Sequence, residues 1–80
     1  MVAGDNPETS IYSIGVTKKR VGLTARRIRY YEKAGLIEPE RTKGNQRLYS
    51  QNDIERLKKI KGLLEQGLNL AGVKRKLNSE

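Results

Sequence analysis

Arg26, Arg29, Tyr30 and Lys33 fall at i, i+3, i+4 and i+7 in the stretch ARRIRYYEKAGLI, the spacing that lines up one face of an α-helix. Arginine suits such a face because a guanidinium forks onto a phosphate or onto the O6 and N7 edge of guanine, whereas lysine is a point charge. A tyrosine beside it can lay its ring on the protein and offer its hydroxyl to a phosphate. The chemistry this arrangement supports is recognition of a polyanion. Arg26 and Arg27 lie in the first turn, the part of a recognition helix that enters a major groove, and are expected at base edges. Arg29 and Tyr30 are expected at the backbone. Ile28 and Tyr31 share the opposite flank with Leu36 and are expected in the core.

A second basic element follows, with Arg41, Lys43, Asn45, Gln46, Arg47 and Tyr49 around a Lys43-Gly44-Asn45 turn. Glycine and asparagine supply the left-handed conformations a hairpin turn needs, so residues 40–49 read as a β-hairpin that extends the footprint of the short helix. Strand alternation predicts Leu48 on the core side, with Arg47 and Tyr49 together on the outer side. Thr17 and Lys18 are placed where an earlier helix crosses the duplex backbone. The Lys74-Arg75-Lys76 run near the end reads as a solvated helix end complementing the helix dipole.

The elements that must position these residues follow from local signals. Residues 1–10 are polar and broken by Gly4 and Pro7, and read as a flexible arm. A short helix from Gly15 to about Arg20 is expected to point Ile14, Val16 and Val21 inward. Gly22 marks a turn. Thr24, also counted among the DNA-contacting residues, is positioned to cap the next helix, about Ala25 to Ala34, and Gly35 to end it. After the hairpin, Ser50 with Asp53 resembles a capping box opening a third helix. Its inward stripe is Ile54, Leu57, Ile60, Leu63 and Leu64, with Glu55, Arg56, Lys58, Lys59 and Lys61 outward. Gly67 ends it, and Asn69 caps a last helix carrying Leu70, Val73 and Leu77. The expected fold class is mainly α: a helix-turn-helix, a β-hairpin and two further helices.

Composition narrows the function. With 17 Lys+Arg against 9 Asp+Glu the chain carries a formal charge of +8, and Glu32 is the only acid among Lys18, Lys19, Arg20, Arg26, Arg27, Arg29 and Lys33. Such clustering favours a polyanionic partner. The chain has no cysteine and no histidine, which removes disulfides, thiolate or imidazole metal sites and the usual general base. Neither an enzyme site nor a cofactor is expected. No apolar run reaches the ~18 residues of a membrane span and no signal-peptide pattern opens the chain, so a cytoplasmic, nucleoid-associated protein is expected.

The motifs IYSIG, LTARRIRYYE, GLI, NQRLYS and Asp53-Ile54, in that order, closely resemble the DNA-binding domain of the MerR family of bacterial transcription regulators. The likeness covers about residues 11–77. Within the family, the wing spacing and the close of the chain, Ile60-Lys61 through Val73-Lys74, look most like the GlnR/TnrA nitrogen-control branch, with Lys43 in place of the Glu that precedes Gly-Asn in that wing. The resemblance implies a mainly α winged helix-turn-helix, the β-hairpin being its wing, that binds a pseudo-palindromic double-stranded operator as a homodimer, with contacts from Arg26, Arg27, Arg29, Tyr30 and Arg47. It further implies repression of nitrogen-metabolism genes, glutamine synthetase among them. In that branch a C-terminal tail senses glutamine synthetase, and the segment before the first helix helps dimerisation. Residues 78–80 are accordingly read as a truncated end, and Ile11, Tyr12 and Ile14 as interface residues. Two other readings stay open: a small excisionase-like DNA-bending protein, and a basic RNA- or protein-binding module.

Overall fold

The computed structural model describes residues 8–79. Most of the expected flexible arm, residues 1–7, and the last residue of the expected C-terminal end lie outside the described residues. The chain runs β1 (Ser10–Tyr12), α1 (Ile14–Val21), α2 (Ala25–Lys33), β2 (Glu40–Arg41), β3 (Arg47–Ser50), α3 (Gln51–Glu65) and α4 (Leu70–Asn78). Four helices surround a core of Val21, Ile28, Tyr31, Leu36, Ile37, Tyr49, Ile54, Leu57, Ile60, Leu63, Val73 and Leu77. A three-stranded antiparallel sheet, in the order β1-β3-β2, closes one side.

Local chemistry explains the helix ends. The Thr24 hydroxyl accepts from the Arg27 backbone N–H at 3.1 Å, as an N-cap should. At the other end of α2, Gly35 takes φ +84° and donates to the Glu32 carbonyl at 3.0 Å, while Leu36 N–H reaches back to the Tyr31 carbonyl at 3.0 Å. This bond pair is a Schellman termination, and it delivers Leu36 straight into the core. Ser50 and Asp53 form the full capping box of α3, with bonds of 3.0 and 2.9 Å. Asn69 caps α4 through the Gly72 N–H at 2.8 Å.

Several expectations are overturned. Ser10, placed in the arm, begins β1, which pairs with β3 through Ser10↔Ser50 and Tyr12↔Tyr49. Two steps along β1 oppose one along β3, so Ile11 bulges outward. Helix α1 starts at Ile14 because Ser13 caps it, and its buried positions are Thr17 and Val21, one helical turn apart. Val16 lies off that stripe and is exposed. Arg56 and Lys61, expected to point outward, are half-buried cross-braces. Arg56 Nε donates to the Leu36 carbonyl and Lys61 Nζ donates to the Val21 carbonyl at 3.3 Å, so α3 holds the end of α1 and the chain just past α2. Glu55, Lys58 and Lys59 do face outward.

The alternation in β3 is the reverse of the expected one. Tyr49 is fully buried and shares its side of the strand with Arg47, whereas Leu48 is only half-buried. The cause is non-local: β1 covers one edge of β3, and the sheet turns the Arg47–Tyr49 face toward α2. The Tyr49 hydroxyl makes no hydrogen bond among the described residues. Burial pushes its pKa above the ordinary 10.0, partly offset by the charge of Arg47.

An unsatisfied buried hydroxyl costs about 1–3 kcal/mol, so Tyr49→Phe is expected to raise unfolding free energy by about 1 kcal/mol in denaturant titrations. The folded chain holds the phenolic proton to higher pH than the unfolded chain. Wild-type stability should therefore fall relative to Tyr49→Phe as pH rises above 10, and the two should run parallel below it. A Phe variant less stable than wild type would mean that the hydroxyl is satisfied by a buried water.

Candidate nucleic-acid interface

Helix α2 presents its charged face because its other face is committed. Ile28 and Tyr31 are buried, which leaves Arg26, Arg27, Arg29, Tyr30 and Lys33 exposed on the remaining circumference. The neighbouring tyrosines differ in burial, as expected. Tyr31 is 2% exposed and Tyr30 54%, with ring centroids 5.8 Å apart and planes inclined at 55°. Tyr30 leans on its neighbour while its own ring and hydroxyl remain available to a ligand.

The arginines are not equivalent. Arg27 NH1 donates to the Tyr31 hydroxyl at 3.0 Å, which turns this side chain toward the body of the protein. It lines the grooves that α2 makes with Leu64 of α3 and, further along, with Leu70 at the start of α4. Arg26 borders the same groove and has no partner of this kind among the described residues, which leaves its fork to a ligand. No acidic residue occupies the first turn of α2, and the positive end of the helix dipole adds to the two guanidinium charges there.

The wing is a short ribbon. Glu40 pairs with Leu48 and Arg41 with Arg47. Its turn closes through Asn45 N–H to the Thr42 carbonyl and Thr42 N–H to the Gln46 carbonyl, both 2.9 Å. Asn45, at φ 65°, is the left-handed residue of the turn; Gly44 is not. Arg41, Lys43, Asn45 and Gln46 are exposed and Arg47 is half-buried.

The feature that joins wing and helix is Glu32. Its Oε2 accepts from Arg41 NH2 at 3.2 Å and its Oε1 from Arg47 Nε. Arg41 NH1 in turn donates to Asn45 Oδ1 at 3.1 Å. One carboxylate in α2 therefore ties both wing arginines, and through Arg41 the wing turn, to the helix. Sequence reasoning noted Glu32 as the lone acid of a basic interval but assigned it no role. That isolation was the available signal, since a single negative charge amid cations is strongly drawn to a partner.

Two residues leave the interface. Thr17 is 0% exposed and its hydroxyl donates to the Ser13 carbonyl at 2.8 Å, so it cannot offer that hydroxyl to a phosphate; its exposed neighbour Lys18 can still reach one. Tyr49, also 0% exposed, is core. Thr24 is exposed, but its hydroxyl is occupied as the α2 cap. At β1, Ile11 is 48% exposed beside Tyr12, whose ring carries the Arg20 guanidinium 4.6 Å from its centroid, while Ile14 packs partly on the core. No described helix is long and apolar enough to cross a membrane.

Comparison with known proteins agrees with this geometry. The family model for MerR HTH family regulatory proteins matches residues 12–80. The transcriptional regulator GlnR of Bacillus anthracis is 49% identical over 73 residues, covering 91% of this chain and 57% of that protein. TnrA of Bacillus subtilis is 39% identical over 66 residues, covering 82% and 60%. The chain thus spans a little over half the length of these relatives. Among solved structures, a MerR-family regulator from Bacillus cereus superposes with a TM-score of 0.77 at 28% identity, over 82% of this chain and 50% of that one. HiNmlR, a MerR-family regulator lacking the sensor domain and bound to promoter DNA, superposes with 0.79 at 25% identity, over 85% and 52%. With the helix-turn-helix, the wing and the matching motifs all in one order, the chain belongs to the MerR family of helix-turn-helix regulatory proteins.

Proposed function

We propose that this chain is the sequence-specific DNA-binding unit of a bacterial transcriptional regulator of nitrogen metabolism. It acts in the cytoplasm, at the nucleoid, as a repressor that binds a pseudo-palindromic operator as a homodimer. The observation that carries the reading is the exposed face of α2, with Arg26, Arg29 and Tyr30 open to solvent and the Arg41–Arg47 wing fastened beside it. The likeness to GlnR and TnrA supports the nitrogen assignment, and the promoter-bound relative supports the DNA. In this reading Arg26 enters the major groove and reads a base. Arg29, Tyr30 and Lys18 hold phosphates, and the wing follows the adjacent backbone with Arg41, Gln46 and Arg47. Arg27, held by Tyr31, serves the backbone at the groove edge instead of a base edge.

Two copies join through the β1 side, where Ile11 and Val16 expose apolar surface next to the Arg20–Tyr12 stack. A two-fold axis there sets the recognition helices about 34 Å apart or a multiple of it, matching half-sites on one face of the duplex.

Arg26→Ala should relax base preference at one position of each half-site and cost about 1–3 kcal/mol on the matched operator. Arg29→Ala should weaken all duplexes alike and lower the slope of log K against log salt by about 1. Affinities for matched and mutated duplexes at several salt concentrations decide this, and the opposite pattern would reverse the two roles. For the dimer, Ile11→Asp should leave binding to a single half-site intact and abolish cooperative occupancy of the full site in gel-shift titrations. Unchanged cooperativity would remove the β1 side from the interface.

A further inference from the structure

We infer that Glu32 is a positioning residue that sets how well this domain discriminates its operator from other DNA. The inference rests on the DNA-binding reading above. A carboxylate among the cations of a DNA-facing helix repels phosphate, so in isolation Glu32 weakens binding to every duplex. Its geometry indicates what offsets that penalty. The side chain is only 19% exposed, each oxygen receives one arginine, and both arginines belong to the wing.

The wing needs such an anchor. Residues Glu40–Arg41 form only a two-residue strand, and a ribbon of that length has little stability of its own. Arg41 spans from Glu32 to Asn45, so the clamp fixes both the root and the turn of the wing relative to α2.

The clamp does not use up the arginines. Arg47 gives Glu32 its Nε and keeps both terminal nitrogens. Among the described residues Arg41 gives NH2 to Glu32 and NH1 to the Asn45 side chain and, at 3.5 Å, its carbonyl, and retains Nε and the second NH2 hydrogen. Both guanidinium groups are therefore oriented while still able to reach phosphates on the backbone that α2's register selects. Without Glu32 the same charges would be free to follow any phosphate. Nonspecific affinity would rise and the link between wing contacts and the base register read by α2 would be lost.

The test is Glu32→Gln, with affinities for the operator and for a scrambled duplex measured across a salt series. Binding to the scrambled duplex should tighten with a steeper salt slope, operator binding should not tighten with it, and the specificity ratio should fall about threefold to tenfold. In an Arg41→Gln, Arg47→Gln background the same change should leave the ratio unaltered. A fall in the ratio persisting there would mean that Glu32 acts by direct contact with DNA. Equal weakening of both duplexes, or an unchanged ratio, would reduce Glu32 to a structural ion pair. Should Glu32→Gln fail to fold, Arg47→Lys carries the same test, since it keeps the charge and removes the Nε donor. The ratio should fall there as well, and an unchanged ratio would overturn the inference. A wild-type protein that itself fails to discriminate the two duplexes would instead sink the DNA-reading proposal.

Discussion

Burial of Ile28 and Tyr31 against the body of the domain is the constraint on which the rest depends. A nine-residue helix is too short to persist alone in water, so α2 exists only as a docked element. Once those two side chains are buried, helical periodicity leaves no freedom about where Arg26, Arg29 and Tyr30 go. Core packing and ligand presentation are thus a single event. The Schellman end at Gly35 serves both, because it seats Leu36 in the same core and turns the chain toward the wing.

The domain carries a large positive charge, and its acids and polar tethers sit where geometry most needs fixing. Glu32 ties the wing to α2. Lys61 points its charge at the carbonyl end of α1, where the helix dipole welcomes a cation, and Arg56 holds the Leu36 carbonyl in the turn that follows α2. These three contacts hold the turn, the helix and the wing in one frame, and each joins elements that meet only in the folded state. The exposed arginines outside this frame supply the electrostatic surface.

What was legible in the sequence was what is encoded locally. The limits of α2, its Thr24 cap, the Ser50–Asp53 capping box, the Asn69 cap and the burial of Tyr31 beside an exposed Tyr30 all depend on residues within about a turn of each other. The order of the motifs was enough to point to the family. What was missed depends on partners distant in the chain. β1 becomes a strand only because β3 lies beside it, and that pairing turned Tyr49 inward against a hairpin-based alternation. Thr17 replaced Val16 in the core because the Ser13 cap set where α1 begins, and because a buried hydroxyl is tolerable when the Ser13 carbonyl accepts from it. Arg27 and Glu32 were visible as residue types, but the groove and the clamp they belong to are made by other elements.

Reading of a sequence on two-fold symmetric DNA by this one small frame is best checked by selecting bound duplexes from a random pool with the purified protein. The expected outcome is enrichment of an inverted repeat whose half-site centres are separated by about one helical turn or a multiple, with the strongest preference at the pair of positions facing Arg26. Recovery of sequences with no shared motif, or retention of structured RNA as readily as duplex DNA in the same pool, would contradict it.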